Sequence, residues 1–314
     1  MQLQFKCSSK KNIRKRFNKD GMYLFTLALP FILVVFLFCY LPLFGWIYAF
    51  FDYKPGIPLS STPFIGLQKF ADILSNSEDI LRVLRNTLVL SFLSILASPL
   101  PVILAILITE AKNIRFQKII QTVTTLPNFI SWIIIFSISF VMFSTEGLVN
   151  QILTSLGIIK EPLSVLSNES IVWQFQIGLL IWKTLGWNAI IYLAAIAGID
   201  SELYDAAKVD GAGRFRRIIH ITVPGVSATF IVLLLLSVGS LLNAGSGMEQ
   251  YLVFNNPIVA DKIEVLDLYV YRLGLVINDY SFATVVGIFK TVISILLLFT
   301  VNSVSKRIRG QSII

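Results

Sequence analysis

Long uncharged stretches alternate along this chain with short charged passages and with segments broken by glycine and proline. Residues 21–51, 86–109 and 119–145 contain no Asp, Glu, Lys or Arg. Residues 170–199 and 280–305 hold one lysine each, Lys183 and Lys290, and residues 218–248 hold only His220. About 20 apolar residues cross a bilayer as a helix. The pattern therefore predicts an all-α integral membrane protein with six transmembrane helices, near 22–48, 86–109, 119–143, 172–198, 223–245 and 281–304. Pro99 and Pro101 interrupt the second span and Pro127 the third, so the carbonyls freed there must face protein or water rather than lipid. Val223-Pro224 opens the fifth span, where proline costs little because the first helical amides have no partner. The far end of that span, GSLLNAGSGMEQ, carries Gly239, Gly245 and Gly247, which favours an unwound or closely packed end.

Segments 51–85, 144–171 and 246–280 are longer loops, the first with a helix-like piece, FADILSNSEDILRVL. With no internal repeat, the chain reads as one membrane domain, 21–305, between a basic tail at 1–20 and a short tail at 306–314.

Composition agrees: 55% of the 314 residues are hydrophobic and only 14% charged, against about 25% charged in soluble domains. The first apolar window is too long for a signal peptide and lacks a small-residue cleavage site, so it reads as a retained helix. Cys7 lies in the basic tail and Cys39 in the first span, which leaves no disulfide framework. The net charge of +8 does not indicate nucleic acid. Seven, three, four and three of the 26 Lys+Arg fall in 1–20, 110–118, 199–222 and 305–314, all on one side of a six-span topology. That asymmetry predicts cytoplasmic termini. The tail KKNIRKRFNKD also suits anionic membrane lipid.

Several chemistries are excluded. No span contains Asp or Glu, which argues against a stand-alone proton- or sodium-coupled transporter. The single histidine rules out a His-rich metal site. GLLIWKT, Gly178 to Thr184, lacks the second glycine of a phosphate loop and lies inside a span. No catalytic residue, cofactor or metal is expected on this chain.

The passage DAAKVDGAGRFRRIIHITVP, Asp205 to Pro224, stands apart. Asp200 is an N-cap candidate and Glu202 suits the first turn of a helix. Gly211 and Gly213 each cost about 1 kcal/mol inside a helix and so mark a break. Ala206, Ala207, Gly211 and Ala212 leave one face bare, and Arg214, Arg216 and Arg217 surround it with cations. Such a helix pair docks into a groove on a soluble partner, or it is a basic loop that only sets topology; geometry leaves both open.

Asp205-Ala206-Ala207, three residues, Gly211, nine residues and then Ile221-Thr222-Val223-Pro224 resembles the EAA loop of bacterial ABC importer permeases. That pattern reads Glu-Ala-Ala, three residues, Gly, nine residues, Ile, any residue, Leu-Pro. Both gaps match; Asp205 replaces Glu and Val223 replaces Leu. The segments LPNFISW, WKTLGWNAIIYLAAIAGID and GMEQYLVFNNP look like the maltose-type branch that handles complex oligosaccharides and polysaccharide fragments. The resemblance implies a non-catalytic permease in the bacterial cell membrane. Its partners would be a homologous second permease, two copies of an ATP-binding subunit carrying ATP and Mg, and an extracellular binding protein that delivers an oligosaccharide. It also implies that loop 199–224 contacts the ATPase through Asp205, Ala206, Ala207 and Gly211, with Asp210 and Pro224 inside the same motif. The three arginines add electrostatic steering. An ABC permease for another small solute is the nearest alternative.

Sugars are held by hydrogen bonds and aromatic faces. Candidates for the substrate path are Trp187, Asn188 and Tyr192 in span four, Asn243 in span five and Lys290 in span six. A lysine at the bilayer centre costs about 2.5–3.5 kcal/mol, so Lys290 should face a wet cavity, where it would suit acidic sugars, or a partner helix. Lys183 and Lys290 could instead both bond to neighbouring helices.

Overall fold

The computed structural model describes residues 19–75, 77–243 and 247–309. The expected tail 1–20 lies almost wholly outside the described residues, as do the last five residues of 306–314. The described chain is helical; its one β-bridge pairs Phe51 with Phe64.

Two units divide after Ile47. In the first, α1 (Lys19–Val35) continues through a π-helical turn, Phe36–Tyr40, into a 3-10 stretch, Leu41–Phe50, which runs past the division. Its side chains are exposed from Gly21 to Phe44, the all-round apolar surface of a lipid-facing helix.

The second unit starts at Tyr48, and beyond the Phe51–Phe64 bridge it holds a short α2 (Gln68–Ser75) and then α3 (Ser77–Leu96) and α4 (Pro99–Glu110), two halves of one span separated by a turn at Ala97 and Ser98. Pro99 and Pro101 thus open a new helix, where a missing amide costs little. The third predicted span, 119–143, is not one helix. α5 (Ile114–Thr125) stops at a 3-10 turn, Leu126–Phe129, and α6 (Trp132–Phe143) starts again behind Ser131, whose Oγ accepts from the Ile134 amide at 3.4 Å. Pro127 supplies the break, and the long apolar segment runs instead from α6 into α7 (Leu148–Ser155). α8 (Val172–Ala197) is unbroken. After α9 (Ser201–Val209) and α10 (Arg214–Arg217), α11 (Val223–Gly239) ends short of the expected 245 in a 3-10 turn, Leu241–Asn243. Three short helices follow, α12 (Met248–Phe254), α13 (Ala260–Ile263) and α14 (Leu266–Tyr271), and then the long α15 (Tyr280–Arg309).

α8 is the central helix, packed on α4, α5 and α11. One end of the bundle, here the basic end, carries α9 and α10. The other is capped by α12 to α14, which rest on α3, α6 and α15. The main core lies towards the capped end, where Leu90, Trp132, Ile135, Leu180, Tyr251 and Phe254 meet from four parts of the chain. Buried polar groups there are satisfied across elements, as burial requires. Gln250 Nε2 donates to Gln176 Oε1 at 2.7 Å, and Asn86 Nδ2 donates to the carbonyls of Asp261 and Glu264 at 2.9 and 3.1 Å. Burial holds the Tyr269 phenol above its ordinary pKa, the Asp79 carboxylate adding to the effect. In none of the six apolar spans is more than 22% of the most hydrophobic window buried. The remaining apolar surface needs lipid or other chains to cover it.

Candidate functional site

The basic loop folds as a helix, a sharp stop and a second short helix. Asp200 Oδ1 accepts from the Glu202 amide at 2.9 Å, the N-cap expected of it. At the other end of α9 the Ala212 amide bonds to the Ala207 carbonyl at 2.8 Å and the Gly211 amide to Lys208 at 3.1 Å. These are the two bonds of a Schellman cap. Gly211 sits in it with φ +71°, and a Cβ there would meet nothing within 4 Å. Glycine is required here by backbone conformation, not by crowding within this chain. An L-residue in the left-handed region costs roughly 1–2 kcal/mol, with Asn the best tolerated. Tryptic cleavage after Lys208 is therefore expected to be faster in Gly211→Val than in Gly211→Asn. Equal rates would show that the cap does not depend on the positive φ.

The loop is tied to the bundle at two points. Arg214 Nε donates to Glu110 Oε2 at 2.9 Å, at the end of α4, and the hydroxyls of Tyr204 and Thr222 lie 2.9 Å apart. Of the residues singled out in the motif, Ala206, Asp205, Asp210, Gly211 and Arg216 are exposed, Ala207 and Arg217 half-buried. Asp205 pairs with Lys208 at 2.7 Å. Pro224 lies in the first turn of α11. Two features escaped the sequence reading. Val209 and Phe215 project from the loop at 88% and 75% exposure, and Arg214 is shared with Glu110 rather than free to surround the bare face. Apolar residues without a periodic partner in a charged passage were the only signal for the first.

Midway along the bundle lie two adjoining cavities of about 300 and 270 Å³. Both are bordered by Ser98, Asn188, Ser237 and Ser240; Thr184 lines the larger and Tyr192 the smaller. The turn between α3 and α4 places Ser98 there with its Oγ buried and unpartnered among the described residues. Two of the candidate path residues, Asn188 and Tyr192, thus share one cavity. Lys290 borders a neighbouring hollow with Ser240 and is ion-paired to Asp267 of α14. The side chain of Asn243 lies outside the described residues. Trp187 does not line these cavities; it stands edge-on to Phe129, with ring centroids 5.8 Å apart. Lys183 likewise turns to backbone, donating to the carbonyls of Asn128 at 2.9 Å, of Pro127 at 3.4 Å and of Ile130.

A family of proteins described as "Binding-protein-dependent transport system inner membrane component" matches residues 97–310, from the turn before α4 to the end of α15. The chain belongs to this family. It is a multi-pass membrane protein and a permease component of a binding-protein-dependent ABC importer. This permease is 40% identical to "Protein LplB" of Bacillus subtilis (strain 168), across 92% of its own length and 90% of that protein's. It is 36% identical to the "Polygalacturonan/rhamnogalacturonan transport system permease protein YteP" of the same organism, across 93% and 90%. Among solved structures it resembles a chain of a bacterial alginate ABC transporter in complex with an alginate pentasaccharide-bound periplasmic protein. The TM-score is 0.82 at 33% identity, covering 94% of this chain and 98% of that one. The permease fold therefore extends over nearly the whole chain, beyond the part matched by the family.

Proposed function

We propose that this permease moves an oligosaccharide into the cytoplasm, in an assembly with a homologous second permease, two copies of an ATP-binding subunit and an extracellular binding protein that delivers the sugar. This chain then contributes no catalytic group, and ATP and Mg reside on the partner subunits. Both termini and the basic end face the cytoplasm, the capped end faces outward, and residues 21–305 form the permease domain with 199–224 as its coupling loop. The observation that carries this reading is the geometry of α9 and α10. An exposed helix with a small residue, Ala206, on its surface is stopped sharply by Gly211, flanked by exposed Val209, Phe215 and Arg216, and tied to α4 through Arg214 and to the start of α11 through Thr222. A partner that moves this loop moves two spans.

The names of the relatives support a polysaccharide fragment as cargo, and so does the cavity. Thr184, Ser237 and Ser240 donate to carbonyls of their own helices, which leaves their oxygens as acceptors for sugar hydroxyls. The described lining of both cavities contains no lysine, arginine or carboxylate. Lys290, the cation that would have suited an acidic sugar, is balanced by Asp267.

Ala206 offers the cleanest test, because it is exposed on α9. Ala206→Trp is expected to insert normally, to lose the ATP-binding subunit on purification and to abolish sugar uptake in proteoliposomes holding the whole importer. Retention of the subunit together with wild-type uptake would refute the docking role of this loop.

A further inference from the structure

The break in the third span is gripped by one face of α8. Pro127 has no amide to donate, and the turn after it leaves the carbonyls of Asn128 and Ile130 between two helices, outside the ladder of either. The Lys183 ammonium has three donors and spends them on the carbonyls of Pro127, Asn128 and Ile130. It also stands 5.4 Å from the centre of the Trp132 ring, at the start of α6. One turn along α8, Gly186 brings the two backbones into contact: a Cβ there would lie 2.2 Å from the carbonyl carbon and oxygen of Thr124. Trp187 completes the grip against Phe129. Positions 183, 186 and 187 lie three and four apart, so they share one helical face. Together they hold residues 124 to 130.

This face matters because of what α8 leads to. Its C-terminal end runs through Ile199 directly into α9, and Ile199 packs so closely on Gly225 of α11 that a Cβ there would lie 2.5 Å from its Cδ1. An unpinned proline break would absorb any displacement arriving from α9. We infer that Lys183 is a positioning residue for transport: it pins the broken third span to α8, so that α5 and α8 travel as one body when the α9 loop is moved and the motion is not lost at Pro127. The inference rests on the coupling role proposed for that loop. A hydrogen-bonded cation on backbone carbonyls is suited to this task, because it holds a place where no helix ladder can form and makes no demand on the identity of the side chains there.

The test uses the whole importer in proteoliposomes, reading sugar uptake and ATP hydrolysis together. Lys183→Met keeps the length and apolar stem but removes every donor. It is expected to retain the ATP-binding subunit and to hydrolyse ATP, while uptake per ATP falls about tenfold, within the range through which coupling residues act. Lys183→Arg, which can donate to the same carbonyls, restores the ratio. A purely structural role would lower the amount of assembled protein and leave uptake per ATP unchanged in what remains, and that outcome overturns the inference. A second measurement leaves Lys183 in place: spin labels at Ile119 of α5 and Ala194 of α8, both exposed, should keep one separation with and without ATP. A change of several ångströms overturns the inference even if the Met variant fails to assemble. If the unsubstituted importer shows no ATP-driven uptake at all, the proposed function fails rather than the pin.

Discussion

Glu264→Ala is expected to lower the stability of this permease by about 3 kcal/mol, read as a loss of thermal stability in detergent. The Glu264 side chain is 4% exposed and sits between two guanidinium groups. Arg272 donates to it through Nε at 2.5 Å and Nη2 at 3.2 Å, and Arg82 through Nη2 at 3.1 Å. Removing a carboxylate from such a cluster leaves positive charge with too little to balance it, which costs far more than the pair itself contributes. Arg82 retains Asp79 and Asp261, each at 2.8 Å, but both are well exposed and screened by solvent. Arg272 retains the face of Tyr269, 5.2 Å away. The partial exposure of the arginines keeps the loss at the lower end of the range for buried pairs. Glu264→Gln keeps an acceptor and should lose less. An unchanged unfolding temperature in Glu264→Ala would mean that the cap is held by its apolar contacts alone.

The second large effect comes from one methyl group. Gly186→Ala places a Cβ 2.2 Å from backbone atoms of Thr124 and 2.6 Å from the Thr125 amide nitrogen, and backbone of a packed helix cannot swing aside as a side chain does. Overpacking of this kind costs about 1–3 kcal/mol or more. Here it also forces α8 away from the carbonyls that Lys183 holds. The yield of folded protein and its unfolding temperature should both fall. Gly178→Ala, on the same helix, is the control: nothing lies within 4 Å of a Cβ there. Alanine in that helix is favoured by about 1 kcal/mol over glycine, so Gly178→Ala should be neutral or mildly stabilising. Equal behaviour of the two variants would rule out the close approach of α5 and α8.

The contrast between these glycines marks the limit of what the chain discloses by itself. That there are six spans was legible because burial in lipid demands uncharged length, and length is visible in one dimension; the bounds of the third, expected at 119–143 and found at Trp132–Ser155, were not. The breaks at Pro99, Pro101 and Pro127 were legible for the same kind of reason, since a missing amide is a local fact. So was the stop at Gly211, where a spaced motif and a helix-breaking residue coincide. The partners of the lysines were not legible. Lys183 bonds to carbonyls 53 to 56 residues earlier, and a backbone carbonyl has no sequence signature. Asp267, which neutralises Lys290, lies 23 residues before it in a segment that reads only as a loop. Trp187 and Asn188 adjoin in sequence, yet the first packs on Phe129 and the second borders the cavity. Neighbouring helical positions point about 100° apart, and only packing decides which direction holds the cavity.

The stitching of α3 to the cap also dictates an order of events during synthesis. Asn86 finds its acceptor at Glu264, 178 residues later in the chain, and the Thr87 hydroxyl waits 179 residues for the Leu266 amide. At the usual pace of a ribosome, about 5–20 residues per second, that interval lasts roughly 9–36 s. Throughout it, the second span is already made while the Asn86 amide lacks both of its carbonyl acceptors, and the Thr87 hydroxyl, which donates to the Val83 carbonyl of its own helix, lacks the amide from which it will accept. The span is therefore provisional until most of the polypeptide has been translated, and a chain that stops before residue 264 can never complete it.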